Sequence, residues 1–445
     1  MKIFAIFVLL FIMMSASAFA GRSLALKEAI SLALEKNNLV KAAEFEEAAA
    51  RKEASASRGR FLPRIYLDET ASASNSPTKV FMMKLDQGRF TQNDFMIGNL
   101  NNPSSHGDFR TSFILEQPLF DARIFTDAEL AGKEEKLRGS ALEKRRQEVA
   151  YMVYCACLEI QKAKGYLKAA EEGVRDAGEH ERLARVRGKN GVGLKSDELR
   201  ASTFLAEMEQ RKITAENDLI LAQLRLAKTV GFEPGETADI VKVLTPLPVQ
   251  QNGVELRKLA WENRQDIKEA VIEVEKAETS VKESHYAYLP TLYGTAAYQM
   301  NDRDVPFGRD KDSWMVGASF RWEIFDGLRR ENKVGKASAL ASAASEYLEN
   351  YRKEVALQVE ESRLECEEAA KRLEVACHSV EDSEEAMRLI NRRFENSIST
   401  MVELLDAQTA LNSARAKLIA NESDYALATA RLYHATGTFL KEVMK

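Results

Sequence analysis

Four short stretches of this chain alternate apolar and polar side chains with a period of two. In the first, Ile65, Leu67, Ala71 and Ala73 alternate with Tyr66, Asp68, Thr70, Ser72 and Ser74, and Glu69 is the one imperfection on the apolar side. The second sets Phe109, Thr111, Phe113, Leu115 and Leu119 against Arg110, Ser112 and Glu116. The third places Leu292, Gly294, Ala296, Tyr298 and Met300 on one side. The fourth is the cleanest, with Trp314, Val316, Ala318, Phe320, Trp322 and Ile324 opposite Met315, Gly317, Ser319, Arg321 and Glu323. Each stretch predicts a β-strand with one apolar and one polar face.

Between the strands lie long tracts of helical periodicity: 24–60, from Asp121 to about Asn190, 196–230, 254–287, 326–396, and a last one ending at Gly437. Only nine prolines occur, none between 119 and 233 or after 306. A proline inside a helix costs about 3 kcal/mol, so these tracts can be single long helices. Asp121 is placed to cap the first of them. Its roughly 70 residues would extend ~105 Å.

The chain reads as a duplication. Phe61-Leu62-Pro63-Arg64-Ile65-Tyr66 recurs as Tyr288-Leu289-Pro290-Thr291-Leu292-Tyr293, and Phe120-Asp121 recurs as Phe325-Asp326. Residues 254–287 align without gaps to 27–60, pairing Glu35 with Glu262 and Lys41 with Lys268. Further along, Asn190, Ala201, Leu205 and Gly231 match Asn396, Ala407, Leu411 and Gly437 at a constant offset of 206. The expected organisation is a first repeat over 21–233 with its hairpin at 61–120, a linker over 234–253, and a second repeat over 254–445 with its hairpin at 288–325. The first hairpin carries a polar, turn-rich loop, 75–108, containing the apolar cluster Val80-Phe81-Met82-Met83.

Helices 196–230 and 254–287 together would span ~104 Å, and 24–60 with 402–437 ~110 Å, each pair matching one long helix. Such pairs stacked end to end would build a tube wall of uniform height with the linker midway. Leu404, Leu411, Leu418, Tyr425 and Leu432 recur every seven residues, with Ala407, Ala414, Ala428 and Ala435 three positions later and Asn421 between them. Heptads of this kind predict closely paired, supercoiled helices, a pattern that an ordinary coiled-coil bundle would also show.

Composition narrows the function. The net charge of −5 comes from acidic and basic residues mixed along the whole chain, with no nucleic-acid footprint. Met1-Lys2, the apolar run from Ile3 to Met14 and the small-x-small Ala18-Phe19-Ala20 make residues 1–20 an expected secretion signal, with the mature chain starting at Gly21. Beyond it no apolar run is long enough for a transmembrane helix, so a membrane crossing would need a closed β-barrel. Four strands cannot close one, since the smallest have about eight. A membrane reading therefore requires several copies of the chain. The four cysteines and five histidines show no metal or disulfide spacing, and the cysteines read as small buried thiols. No nucleophile–base pair or phosphate loop suggests an enzyme, and no cofactor is expected.

Together these features resemble the TolC family of outer membrane efflux proteins over residues 23–440. The carriers are Leu26-Lys27-Glu28-Ala29-Ile30 with Ala33-Leu34 and Asn37-Asn38, both Leu-Pro strand entries, both Phe-Asp strand exits, Val192-Gly193-Leu194 and Leu404-Leu405-Asp406-Ala407-Gln408. The resemblance implies a mainly helical fold with membrane β. It also implies a homotrimer, each chain giving four strands to an outer-membrane barrel and its helices to a periplasmic tunnel. The implied function is an export duct of a tripartite efflux or type I secretion system, partnered by a periplasmic adaptor and an inner-membrane pump. It further implies an adaptor-docking tip at Val192, Gly193 and Leu194, with Ser397 and Ile398 as a divergent counterpart. Glu403 and Asp406 match acidic positions at the family's periplasmic constriction, though by composition alone they read as a solvated helix face. The competing reading is a secreted periplasmic coiled-coil adaptor or scaffold, which explains the helices but not four alternating strands at duplicated positions.

Overall fold

The computed structural model describes residues 22–248 and 252–445, so the secretion signal expected over residues 1–20 lies outside the described residues. In chain order the elements are β1 (Arg22–Leu24), α1 (Leu26–Lys36), α2 (Asn38–Gly59), β2 (Arg64–Ser74), α3 (Pro77–Asp86), α4 (Ile97–Asn101) and β3 (His106–Phe120). Then come α5 (Ala122–Lys189), α6 (Lys195–Val230), β4 (Ala238–Ile240), α7 (Gly253–Asn263), α8 (Gln265–Tyr286), β5 (Thr291–Asp302) and β6 (Lys311–Arg321). The chain ends with α9 (Arg329–Glu395), α10 (Met401–Ala435) and α11 (Phe439–Val443). These residues fall into two compact units, one comprising Glu47–Arg138 with Ala270–Leu348 and the other the remainder.

The first unit holds an antiparallel sheet in the order β2-β3-β5-β6, so the two hairpins join through their inner strands. Because side chains alternate across a strand, the register sorts them cleanly. One face carries the rows Ile65, Leu115, Ala296, Val316 and Leu67, Phe113, Tyr298, Trp314. The other carries Asp68, Ser112, Gln299, Ser313 and Thr70, Arg110, Asn301, Lys311. Glu69 falls in a row of mixed polarity, beside Thr111, Met300 and Asp312, and Thr111 Oγ1 donates to its carboxylate at 2.5 Å. Asp121 caps α5 by accepting from Arg123 N–H at 3.1 Å, and it also accepts from Tyr293 OH at 2.8 Å.

A bulge between Pro118 and Phe120 pairs Phe120 with Leu292, and Leu119 stays on the apolar face, its side chain 3.4 Å from where a Cβ on Gly294 would stand. Two expectations for this unit need correction. The strand β6 ends at Arg321, opposite Thr291, because its partner β5 has no residues beyond that row; Trp322 and Ile324 therefore lie past the strand. Trp322 Nε1 instead donates to the Tyr288 carbonyl at 3.1 Å. The loop 75–108 is not irregular throughout. Pro77 sits at the start of α3, where its fixed φ suits a helix and its missing N–H costs nothing. A capping box between Thr91 and Asp94 then starts a short 3-10 turn, Gln92–Phe95, before α4.

In the second unit, the tract 24–60 is two helices, not one. It breaks at Asn37, whose Oδ1 accepts from Leu39 N–H at 2.8 Å while Nδ2 donates to the Thr229 carbonyl at 2.7 Å. The equivalent break at Arg264 separates α7 from α8, its guanidinium binding Asp266 and the Ala435 carbonyl. Both breaks meet a glycine. Gly231 and Gly437 end α6 and α10 in the left-handed region, at φ 92° and 70°. A Cβ on Gly231 would stand 2.9 Å from Lys36 C, and one on Gly437 2.9 Å from Arg264 N. Within the linker, β4 pairs in parallel with β1, Arg22 opposite Ala238, an element too short to register in the sequence pattern.

The predicted heptad stripe of α10 faces inward at Leu404, Leu411 and Leu432 together with Ala414, Ala428 and Ala435. Cys157 and Cys366 are buried thiols as expected, Cys155 is half-buried, and Cys377 is exposed; none of the four is disulfide-bonded. Among the described residues, no helix is long and apolar enough to cross a membrane and no cluster of metal ligands occurs.

Candidate docking and constriction site

The predicted site residues come together where the long helices α5 and α9 turn back into α6 and α10. At the end of α5 the backbone N–H of Val192 donates to the Arg187 carbonyl at 3.0 Å, and Gly191 takes φ 74°. At the end of α9 the N–H of Ile398 donates to Arg393 at 2.8 Å, and Ser397 takes φ 61°. Both are left-handed helix caps closed by the same six-residue hydrogen bond. The second turn therefore departs from the first in sequence while keeping its backbone, a serine standing at the glycine position. Gly193 has a different task, since a Cβ there would stand 2.9 Å from Gly188 N and 3.0 Å from Arg187 C.

These turns present apolar side chains to solvent. Val192 and Ile398 occupy the same position in the two turns and are 69% and 68% exposed, and Leu194 is exposed beside them. Sequence reasoning missed what ties the turns together. Arg187 donates from Nη1 to the Phe394 carbonyl at 2.7 Å and from Nη2 to Ser397 Oγ at 2.9 Å. Its guanidinium also lies over the Phe394 ring, 4.6 Å from the centroid. Two hydrogen bonds and a cation–π contact from one side chain link the α5–α6 turn to the α9–α10 turn.

Glu403 and Asp406 both lie exposed on the first turns of α10. Glu403 is also a structural residue. Its carboxylate accepts from Ser399 Oγ at 2.7 Å and from Thr400 N–H at 3.1 Å, while Thr400 Oγ1 accepts from Glu403 N–H at 3.2 Å. These bonds, the Ser399 hydroxyl first, hold its carboxyl below the usual carboxylate range. Asp406 stands a turn further on, outside that capping box.

Behind this acidic face, α10 buries a polar chain. His180 Nε2 donates to Gln408 Oε1 at 3.2 Å, and Gln408 Nε2 donates to Asn412 Oδ1 at 3.1 Å and Asp176 Oδ2 at 3.4 Å. His180 and Gln408 are both buried. Gln408 lies one position past Ala407, beside the apolar stripe of α10 and not in it, so the heptad pattern gave no signal for this polar chain.

A sheet apolar on one face and polar on the other, in a chain whose long helices return through paired turns, fits one class: an outer-membrane channel subunit. The family model for outer membrane efflux protein matches residues 29–232 and 256–438, so this chain belongs to that family. Among its relatives, the proteases secretion protein PrtF of Dickeya chrysanthemi is 23% identical, the alignment spanning 98% of this chain and 93% of PrtF. The alkaline protease secretion protein AprF of Pseudomonas aeruginosa is 22% identical over 93% of this chain and 85% of its own. Among solved structures, CusC superposes with a TM-score of 0.78 at 16% identity, covering 95% of each chain. The protein is an outer-membrane duct for efflux or secretion, with its helical part in the periplasm. The adaptor or scaffold reading is not favoured.

Proposed function

We propose that three copies of this chain form one duct, passive and cofactor-free, that carries polypeptide or small-molecule cargo outward from an inner-membrane pump. The observation behind this reading is the sheet itself: four strands, two-faced, with β2 and β6 left as open edges. Unpaired edges in lipid cost several kcal/mol for every unsatisfied backbone group, and three such sheets joined edge to edge remove them all. The two relatives named for protease secretion favour a polypeptide cargo. In this reading Val192, Gly193, Leu194, Ser397 and Ile398 are the tip that meets a periplasmic adaptor, the apolar side chains supplying the contact.

Glu403 and Asp406 then form the periplasmic constriction. Spaced three apart, their carboxylates share one helix face. Threefold symmetry would set six of them around the axis, a ring that favours cations. The test is single-channel conductance in a planar bilayer, comparing the native protein with Asp406→Ala and with Glu403→Gln/Asp406→Ala. The double variant should lose cation preference and block by trivalent cations, with Asp406→Ala intermediate because Glu403 is partly engaged in its cap. Unchanged selectivity and block in both variants would leave these residues as a solvated helix face.

A further inference from the structure

The segment between β2 and β3 packs on one particular face of the sheet. Gln87, at the end of α3, donates from Nε2 to Asp108 Oδ1 and to the Gly107 carbonyl, both at 2.9 Å, and Gln87 Oε1 lies 2.8 Å from His106 Nε2. Asn301 donates to the same Asp108 carboxylate at 3.0 Å. His106, Asp108, Asn301 and Lys311 all belong to the polar face by register, and a Cβ on Gly88 would stand 3.1 Å from Lys311 Cδ. Two residues on, Arg89 fastens the middle of the segment to the other hairpin, binding Asp310 through two hydrogen bonds of 2.6 and 3.0 Å. The insert thus crosses the polar face from β3 toward β6, at the end of the sheet where both hairpins turn.

In a transmembrane barrel the apolar face meets lipid, so the polar face is the lumen wall. We infer that the inserts of three chains meet on the axis of the barrel and close down its outer mouth; this inference rests on the trimeric reading above. Twelve strands ~4.8 Å apart and tilted ~40° make a backbone circle roughly 24 Å across, a radius of ~12 Å. A helix with its side chains is ~10–12 Å thick. A body of that thickness on each third of the wall leaves almost no open bore. The partner for each insert is therefore the other two copies. The insert exposes the side chains that such a contact needs: Met82, Phe95, Met96 and Ile97, the last 76% exposed. On a solitary insert in water these would form an unexplained apolar patch.

The test uses the full-length protein in outer-membrane vesicles, with Cys377→Ser to remove the exposed native thiol. Ile97→Cys treated with a short bis-maleimide should give covalent dimers and trimers on a denaturing gel. In a second arm, Thr295→Cys on the lumen face below the insert should react with a small maleimide added from outside. It should resist a bulky polyethylene-glycol maleimide until the insert is replaced by a short Gly-Ser turn. A native-mass trimer whose Ile97→Cys chains do not cross-link, or whose Thr295→Cys reacts equally with both reagents, overturns the proposal and leaves the duct reading intact. A monomer by native mass overturns the duct reading itself.

Discussion

Replacing Gly231 by alanine tests how the helix breaks are built. The residue sits at φ 92°, where an L side chain costs about 1–2 kcal/mol. The added Cβ also stands 2.9 Å from Lys36 C and 3.0 Å from Lys36 O, backbone atoms that cannot swing aside. Displacing the α1–α2 break to relieve that overlap adds a further ~1–3 kcal/mol, the usual range for overpacking. The sum is about 2–5 kcal/mol of local stability. The control is Gly191→Ala, at φ 74° with nothing within 4 Å of the new Cβ, which incurs only the conformational cost of about 1–2 kcal/mol. Global unfolding of a membrane-spanning oligomer is seldom reversible, so the measurement is native-state hydrogen exchange in detergent, read at the amides hydrogen-bonded around Asn37. Those of Val40 and Lys41, which both donate to the Asn37 carbonyl, report directly on the break. Gly231→Ala should lower their protection by roughly 1.5 to 3.5 orders of magnitude, at ~1.4 kcal/mol per tenfold. Gly191→Ala should lower protection only at its own turn and by about one order. If the Gly231→Ala loss is no larger than the Gly191→Ala loss, the close backbone approach contributes nothing and the reasoning fails.

Three further outcomes are expected. Val316→Arg, on the apolar sheet face, should cost about 2–4 kcal/mol if it lies near the bilayer midplane, seen as reduced assembly in a urea titration of folding into lipid vesicles, whereas Ser313→Arg on the polar face should change little. Arg187→Met should remove two hydrogen bonds and a cation–π contact, about 2–4 kcal/mol together, and raise protease cleavage at both helix turns while the sheet stays resistant. In the insert, Lys84 holds Asp94 at a pKa of about 2, helped by hydrogen bonds from Thr91. A depressed carboxylate stabilises above its ordinary value and loses that contribution as pH falls through its folded value, so the window runs from about pH 4 down to about pH 2. Pepsin should therefore cut Asp94→Asn within residues 77–101 faster than the native chain at pH 4, and the two should converge near pH 2.

Much of the fold was legible because its long elements follow simple rules. Proline-free tracts became long helices, and strict alternation located the strands to within a few residues. What escaped the sequence were features set by a partner distant in the chain. Asn37 caps the next helix locally and Arg264 binds Asp266, but neither residue type alone announces a break inside a helical tract; the glycine turn of another helix stands against each. The end of β6 is fixed by where β5 begins, and the bulge before Phe120 shows only in the pairing. The helix in the insert could have been read from Ser76-Pro77 followed by an apolar cluster. At the turns, Ser397-Ile398 reads as a divergent counterpart of the first tip, and sequence alone does not show whether its backbone matches that of Gly191-Val192. The backbone hydrogen bonds are nevertheless the same, because the helix cap needs only a residue that tolerates the left-handed region. Arg187 stood in a tract of mixed charge, where no pattern distinguishes a structural arginine from a solvated one.

The junction of β3 with β5 bears on how such a sheet can assemble in time. Asp108 and Asn301, which meet across it, are 193 residues apart in the chain. Closing a loop costs about (3/2)RT ln n, so this contact costs ~1.5 kcal/mol more than closing the first hairpin over its ~30-residue insert, and still more than closing β5 onto β6. Each hairpin should therefore zip up early and wait for the other. During that interval, each has an inner edge of unpaired backbone groups open to strands of any neighbouring chain. The loop-closure cost predicts that the seam between the two hairpins is the last part of one chain's sheet to form. A chaperone that shields strand edges should raise the yield of folded protein most when it acts before the second repeat has arrived.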